Sequence, residues 1–134
     1  MELDVKPARQ AVKFRTVYAG VNFKGRCDNP ECKAHKKRVW IPKGFGVFNM
    51  SKDRFKNKCP ECEKVIDAKS IDNFGYRKAK IVVEGMRCDG EDNEEVNFED
   101  EETRGKLRTF LESGDHLTEW GYMYIRAFEL KPKE

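Results

Sequence analysis

The chain has 134 residues, a length typical of one domain, and a formal net charge of +3. Hydrophobic and charged residues each make up 38% of it, whereas globular proteins average about 25% charged residues. This composition excludes a second large core and predicts a modest one that needs a metal or disulfide staple. No stretch approaches the roughly 18 apolar residues of a membrane span, and no signal-peptide core follows Met1. We therefore expect no membrane partner and a reducing intracellular compartment, the cytoplasm first, with the nucleus and the cytoskeleton as alternatives.

The charge is divided unevenly along the chain. Residues 1–84 contain 20 Lys and Arg against 10 Asp and Glu, which gives +10. Residues 85–134 contain 7 against 14, which gives −7. A zinc ion bound by four thiolates would add about −2 to the first part. That part would remain clearly basic.

The N-terminal segment and the first strand come next in chain order. Residues 1–15 are basic and weakly patterned, and we interpret them as an arm that precedes a single β-rich domain over 16–134. Between residues 16 and 23, apolar side chains alternate with polar or small ones, which predicts a half-buried strand. The apolar positions are Val17, Ala19, Val21 and Phe23.

Further strands are predicted in the middle and at the end of the chain. Residues 38–41 and 45–50 are rich in β-formers and flank Pro42, Lys43 and Gly44, a pattern typical of a hairpin. Residues 80–83 and 122–128 also have strong strand composition.

Two segments of the second half are predicted not to be strands. Nine of the fourteen residues at 89–102 are acidic and none is basic, which favours a loop because like charges repel. Residues 103–113 carry Leu107, Phe110 and Leu111 at the spacing of one helical face. The expected fold is thus mainly β (small α+β), a zinc-ribbon-like antiparallel sheet with one short C-terminal helix and an acidic loop.

Four cysteines form two spaced pairs. Cys27 and Cys32 are separated by four residues, and Cys59 and Cys62 by two. Tetrahedral zinc takes four soft ligands, and two short loops with two thiolates each can supply them when strands bring the loops together. Paired cysteines in a reducing compartment favour metal over disulfides. The pattern predicts one structural Zn²⁺ as cofactor, held by Cys27, Cys32, Cys59 and Cys62.

Other interpretations of these residues stay open at the level of sequence. His35 has ligand-like spacing from Cys32 and could replace Cys27 or Cys32. The second pair alone could be redox active, since Lys58 and Lys64 would favour a thiolate. The fifth cysteine, Cys88, fits a small hydrophobe or an unpaired thiol.

Four segments of the chain together resemble a known family. The first is 21–27, which ends at the first cysteine. The other three are Cys32-Lys33-Ala34, residues 43–48, which contain the sequence Gly-Phe-Gly, and Cys59-Pro60-Glu61-Cys62. This set is similar to a small zinc-ribbon-type family of unicellular eukaryotes. The resemblance covers about residues 17–85 and implies a zinc site in a β-rich fold, but no particular activity, because fold alone does not supply function.

Two functions compete, and neither is enzymatic. A closed four-thiolate site cannot activate water, and no phosphate-binding glycine loop is present, so we expect neither catalysis nor a small-molecule substrate. The first hypothesis is a non-catalytic, zinc-stabilised interaction module, a structural or adaptor subunit of a larger assembly, whose acidic segment docks on a basic partner surface.

The alternative is binding of RNA or single-stranded DNA. Residues 33–58 hold nine Lys and Arg against one Asp, with aromatic residues interleaved. Basic side chains neutralise phosphates and exposed aromatic rings stack on bases. The candidate contacts to nucleic acid or to a protein partner are Lys36, Lys37, Arg38, Trp40, Lys43, Phe45, Arg54 and Lys56.

Overall fold

The computed structural model describes residues 2–3, 13–89, 92–111 and 120–131. These residues contain nine strands, one short helix and two 3₁₀ turns. The strands are β1 (Glu2–Leu3), β2 (Gly20–Arg26), β3 (Arg38–Gly44), β4 (Gly46–Asn49), β5 (Asn73–Arg77), β6 (Ala79–Asp89), β7 (Asp92–Glu102), β8 (Leu107–Thr109) and β9 (Trp120–Glu129). The helix is α1 (Met50–Asp53), and the 3₁₀ turns are Lys13–Arg15 and Ala68–Ser70.

The strands form two antiparallel sheets. The first has five strands in the order β1-β8-β5-β2-β3, and the second has four in the order β4-β9-β6-β7. Two passages between the sheets are short, since only Phe45 separates β3 from β4 and only Lys78 separates β5 from β6, whereas residues 50–72 connect β4 to β5. The expected mainly-β class is confirmed.

Both sheets bury side chains in the same core. Phe23 and Phe74 of the first sheet and Ile81, Val83 and Ile125 of the second have no exposed surface and belong to one cluster. Alternation along β9 places Met123, Ile125 and Ala127 inside and leaves the intervening side chains in solvent. Their burial drives the association of the two sheets.

The predicted hairpin at 38–50 is wrong in its pairing. β3 lies beside β2, whereas β4 lies beside β9 in the other sheet. Gly44 and Gly46 have backbone φ values of 75° and 129°, which residues other than glycine rarely adopt. These two glycines redirect the chain from one sheet to the other and do not close a tight turn.

The predicted acidic loop is also wrong, because residues 92–102 form β7 and pair with β6 along its full length. The predicted C-terminal helix at 103–113 is wrong as well. Residues 107–109 form β8, which pairs with β5 and β1, and residues 112–113 lie outside the described part. The short helix of this fold lies at 50–53 instead.

The predicted N-terminal arm lies largely outside the described residues. Its described parts pack against the rest of the chain: Glu2–Leu3 pairs with β8, and Phe14 is buried in the core. The strand predicted from residue 16 is β2, and it begins at Gly20. Its buried Asn22 binds the backbone of Tyr18 through both side-chain ends, which fixes the approach to β2.

Candidate metal centre

The two cysteine loops meet at one end of the five-stranded sheet. Strands β2 and β3 pair up to Arg26 and Arg38, so the loop that carries Cys27 and Cys32 closes this end of the ladder. Cys59 and Cys62 lie in the segment that follows α1, where Lys58 and Val65 form an isolated antiparallel bridge. Each loop is therefore closed by antiparallel backbone pairing.

The four sulfur atoms have the spacing of a tetrahedral metal site. All lie within 4.8 Å of one another. The Cys27 and Cys62 sulfurs are 3.7 Å apart, and the Cys32 and Cys59 sulfurs are 3.9 Å apart. A tetrahedron with Zn–S bonds of about 2.3 Å requires sulfurs about 3.8 Å apart. The four predicted side chains thus lie close enough to hold a metal ion, and their thiolate chemistry and spacing fit zinc.

Backbone N–H groups lie beside the sulfurs. The N–H of Ala34 donates to Cys32 at 3.4 Å, and N–H groups of Asn29, of Cys62 and Glu61, and of Lys64 stabilise the thiolates of Cys27, Cys59 and Cys62, respectively. N–H groups directed at sulfur disperse the negative charge of a thiolate. Both loops therefore place backbone N–H groups beside their sulfurs, although their cysteine spacings differ.

The sulfurs nevertheless differ in their affinity for protons. Burial raises the pKa of Cys27 to about 12 and also raises that of Cys59. The N–H group of Lys64 lowers the pKa of Cys62 to about 6. Metal binding at neutral pH must therefore expel the protons of Cys27 and Cys59, and metal affinity should fall as the solution becomes more acidic.

Two polar side chains tie the loops to each other and to the N-terminal segment. Glu61 accepts from the backbone N–H of Phe14 at 3.2 Å and pairs with Lys33 at 3.4 Å. The side chain of Asn29 helps to lower the pKa of Cys62 in the opposite loop, and its oxygen accepts from the N–H of Glu31 at 3.1 Å. Contacts of this kind orient metal ligands and tune their basicity.

His35 and Cys88 do not belong to this cluster. Among the described residues, the group that could hold a metal consists of the four cysteines alone. His35 follows the first pair and joins Cys27 through backbone bridging only. Cys88 lies exposed near the end of β6. The structure thus favours the four-cysteine set over the alternatives that include His35.

The predicted contact residues do not form one surface. Lys36, Lys37 and Arg38 are exposed beside the first cysteine loop. Trp40, in contrast, is only 5% exposed and packs with Val17 and Leu107, so it is not available to stack on a base.

The remaining predicted contacts are divided between the core and a second loop. The ammonium of Lys43 binds the side-chain oxygen of Asn57 at 3.0 Å, and Phe45 is half-buried against the core. Arg54 is half-buried and lies over the ring of Phe55, while Lys56 is exposed. Phe55, with 52% of its surface exposed, is the aromatic side chain of this loop that faces solvent.

Sequence reasoning missed an exposed apolar row on the second sheet. Tyr122, Tyr124 and Phe128 of β9 are exposed, and so is Val47 of the adjacent β4. The alternation of these side chains with Met123, Ile125 and Ala127 was visible in the sequence. This alternation indicates that β9 has two faces, but not which of them packs against the five-stranded sheet.

Within the ranges that the structure describes, no helix has the length and apolar character needed to cross a bilayer.

Comparison with protein-family models, with curated proteins and with solved structures finds no match to this chain. The residues themselves therefore carry the functional assignment.

Proposed function

We propose that this chain is a non-catalytic interaction module stabilised by one structural zinc ion, and that it serves as a structural or adaptor subunit of a larger assembly. The observation that carries the proposal is the tetrahedral spacing of the sulfurs of Cys27, Cys32, Cys59 and Cys62. Four thiolates fill the coordination shell of zinc, so no position is left for a reacting water. The ion contributes folding free energy, and function falls to the surface that it helps to hold.

The apolar surface on the second sheet supports an interaction role. Two tyrosines, a phenylalanine and a valine are exposed on neighbouring strands, with Val47 exposed by 68%. Contiguous exposed apolar side chains on a folded domain mark interaction sites more often than single ones do. Tyrosine and phenylalanine are also enriched at protein–protein interfaces.

The nucleic-acid alternative rests on fewer side chains than the sequence indicated. Phe55 remains exposed, with Arg54 over its ring and Lys52 and Lys56 nearby in sequence. Trp40, however, is buried, and Phe45 and Phe48 pack against the core. A stacking platform needs several exposed rings along a basic groove, which favours the protein-interaction hypothesis.

The test is capture of partners from a native lysate by the zinc-loaded chain, with and without nuclease, followed by mass spectrometry. We expect discrete proteins that remain bound after nuclease treatment. Retention of mainly nucleic acid that is lost as salt rises would support the alternative. Heat-denatured chain serves as the control for binding by exposed core, and proteins that bind it equally are discounted.

A further inference from the structure

The outer face of the four-stranded sheet consists of two adjacent stripes of different chemistry. The first stripe lies on β4 and β9 and contains the exposed Val47, Tyr122, Tyr124 and Phe128, with the exposed Arg126 opposite Val47. The second lies on β7, where alternation turns Glu95, Asn97, Glu99 and Glu101 to solvent. Strand β6 runs between the stripes and adds Glu84 to the same face.

The strand register places aromatic and acidic side chains beside each other. Glu84 is the cross-strand partner of Tyr124, and Met86 links Tyr122 on one side to Glu95 on the other. The rings of Tyr122 and Tyr124 have centroids 5.9 Å apart. Directly opposed side chains on one face are about 5 Å apart, close enough to contact the same ligand group.

Asp100 and Glu102, on the inner face of β7, differ from the exposed glutamates of the outer face because the protein itself supplies their partners. Asp100 binds the guanidinium of Arg108 at 2.9 Å and the hydroxyl of Tyr76 at 2.6 Å. Glu102 accepts from backbone N–H groups of the following turn, including that of Gly105 at 2.7 Å.

The outer face has an excess of negative charge. Four glutamates lie there among the described residues, Glu84, Glu95, Glu99 and Glu101. The cations of the same face are Lys80, which pairs with Glu99 at 2.9 Å, and Arg126. The half of the face formed by β6 and β7 therefore has a net charge of −3, and with Arg126 of β9 the whole described face carries −2.

We propose that this outer face binds an extended, Lys- and Arg-rich segment of a partner protein, an inference that rests on the proposed interaction function. The ring faces of Tyr122 and Tyr124 attract cations, and the neighbouring carboxylates of Glu84 and Glu95 neutralise them. Apolar side chains of the same segment pack on Val47 and Phe128. Negative charge on the surface steers the basic segment towards it.

The experiment selects ligands from a displayed library of random 12-residue peptides on the zinc-loaded full chain. We expect the retained peptides to be enriched in Lys and Arg over the input library. A retained peptide, labelled with a fluorophore, then gives a Kd by anisotropy. That Kd should rise with added NaCl, because screening weakens charge attraction between exposed groups.

Matched variants locate the binding face. Tyr124→Ala and Glu84→Lys should each weaken binding about tenfold. The controls are Tyr18→Ala, which makes the same change, and Asp72→Lys, which makes the same change of charge, both at exposed positions beside the other sheet. We expect both controls to bind as the unaltered chain does, with all variants retaining their circular dichroism spectrum.

Three outcomes would overturn the inference. The first is a library that shows no enrichment or enriches acidic peptides. The second is binding that Tyr124→Ala and Glu84→Lys leave unchanged, and the third is a face occupied by a second copy of the chain, detected as a dimer that Tyr124→Ala dissociates. None of these would remove the proposed function if nuclease-resistant proteins were still captured from lysate, so the two failures can be told apart.

Discussion

The cysteine loops and the four-stranded sheet are stabilised by different means within one small chain. Around the loops, Cys27, Cys59, Ala34 and Ile66 are buried, but most neighbouring side chains are exposed and polar, so the loop geometry depends on few apolar contacts and largely on the four sulfurs and backbone hydrogen bonds. In the sheet, long strands bury Ile81, Val83 and Ile125 completely. A region with few apolar side chains can be ordered by an ion, whereas a region with alternating ones does not need it.

The two regions also tolerate charge in different ways. The basic residues near the loops are exposed, and four thiolates lower the local positive charge when zinc is bound. The acidic β7 instead turns alternate carboxylates inward, where Arg108 and backbone N–H groups compensate them. Pairing of the inner carboxylates explains how a segment so rich in acids forms a strand.

The largest expected effect is that of removing the metal. A chelator, or Cys59→Ser, should abolish the order of the cysteine loops, since structural zinc supplies about 10–16 kcal/mol in small domains. Hydrogen exchange should then show fast amides at 27–36 and 57–66, while β6 and β9 remain protected by their core. Cys88→Ser is the matched control, and we expect it to change neither pattern because Cys88 is exposed. Equal loss of protection in both regions would show that they form one cooperative unit.

Substitution in the second sheet tests the other half of the comparison. Ile125→Ala should lower the free energy of unfolding by about 2–5 kcal/mol, because it leaves a cavity at a fully buried position. Tyr124→Ala, the adjacent residue on the outer face, should cost about 0.5 kcal/mol or less. Urea denaturation measures both. Similar costs for the two variants would contradict the assignment of inner and outer faces.

Acid sensitivity should arise from the sheet region through Glu102, which is 1% exposed. Burial alone would raise its pKa, but N–H groups of Lys78, Arg104, Gly105 and Lys106 hold it below the usual 4.5. Its stabilising contribution is therefore complete above pH 4.5 and is lost as the pH falls through the lower value of the folded state.

Glu102→Gln tests this contribution directly. The variant should lose about 1.5–3 kcal/mol at neutral pH, since an amide accepts the N–H groups less well than a carboxylate does. Urea denaturation as a function of pH should show a smaller decline towards acid than in the unaltered chain. Glu101→Gln, at an exposed neighbouring position, is the control and should leave the profile unchanged.

The smallest effect concerns the support of the metal ligands. Asn29→Ala removes the side chain that helps to lower the pKa of Cys62 and should weaken zinc binding about tenfold while the fold is retained. Competition with a chromogenic chelator measures this affinity. Asn97→Ala, on the outer face of β7, is the matched control. An unchanged affinity in Asn29→Ala would mean that the backbone N–H groups suffice to orient the ligands.

The residues of the candidate site could be predicted from the sequence more completely than the fold around them. Ligand spacing in Cys27, Cys32, Cys59 and Cys62 is a local property, and the sulfurs do converge. Strands β6 and β9 could be predicted from their β-branched and aromatic residues. The acidic composition of residues 92–102 concealed the alternation of Val96 and Phe98, which lie half-buried on the inner side.

Other features depend on contacts distant in sequence. Leu107, Phe110 and Leu111 fit one helical face, but the backbone at Thr109 pairs with Gly75 of β5, which fixes residues 107–109 as a strand. Pro42, Lys43 and Gly44 indicated a hairpin turn, yet only the position of β9 shows that the chain changes sheets there. The exposed face of β9 likewise could not be predicted, because it depends on which side of its sheet packs against the five-stranded sheet.

The N–H donors around the sulfurs have a consequence for chemical reactivity. Backbone N–H groups lie beside each sulfur of the site and withdraw electron density from it. Sulfurs that are both metal-bound and hydrogen-bonded are poorer nucleophiles towards peroxide and alkylating agents than a free thiolate is. The lifetime of this fold under oxidative stress should therefore be governed by escape of the ion, and Cys88, exposed and outside the cluster, should be the first cysteine to be modified.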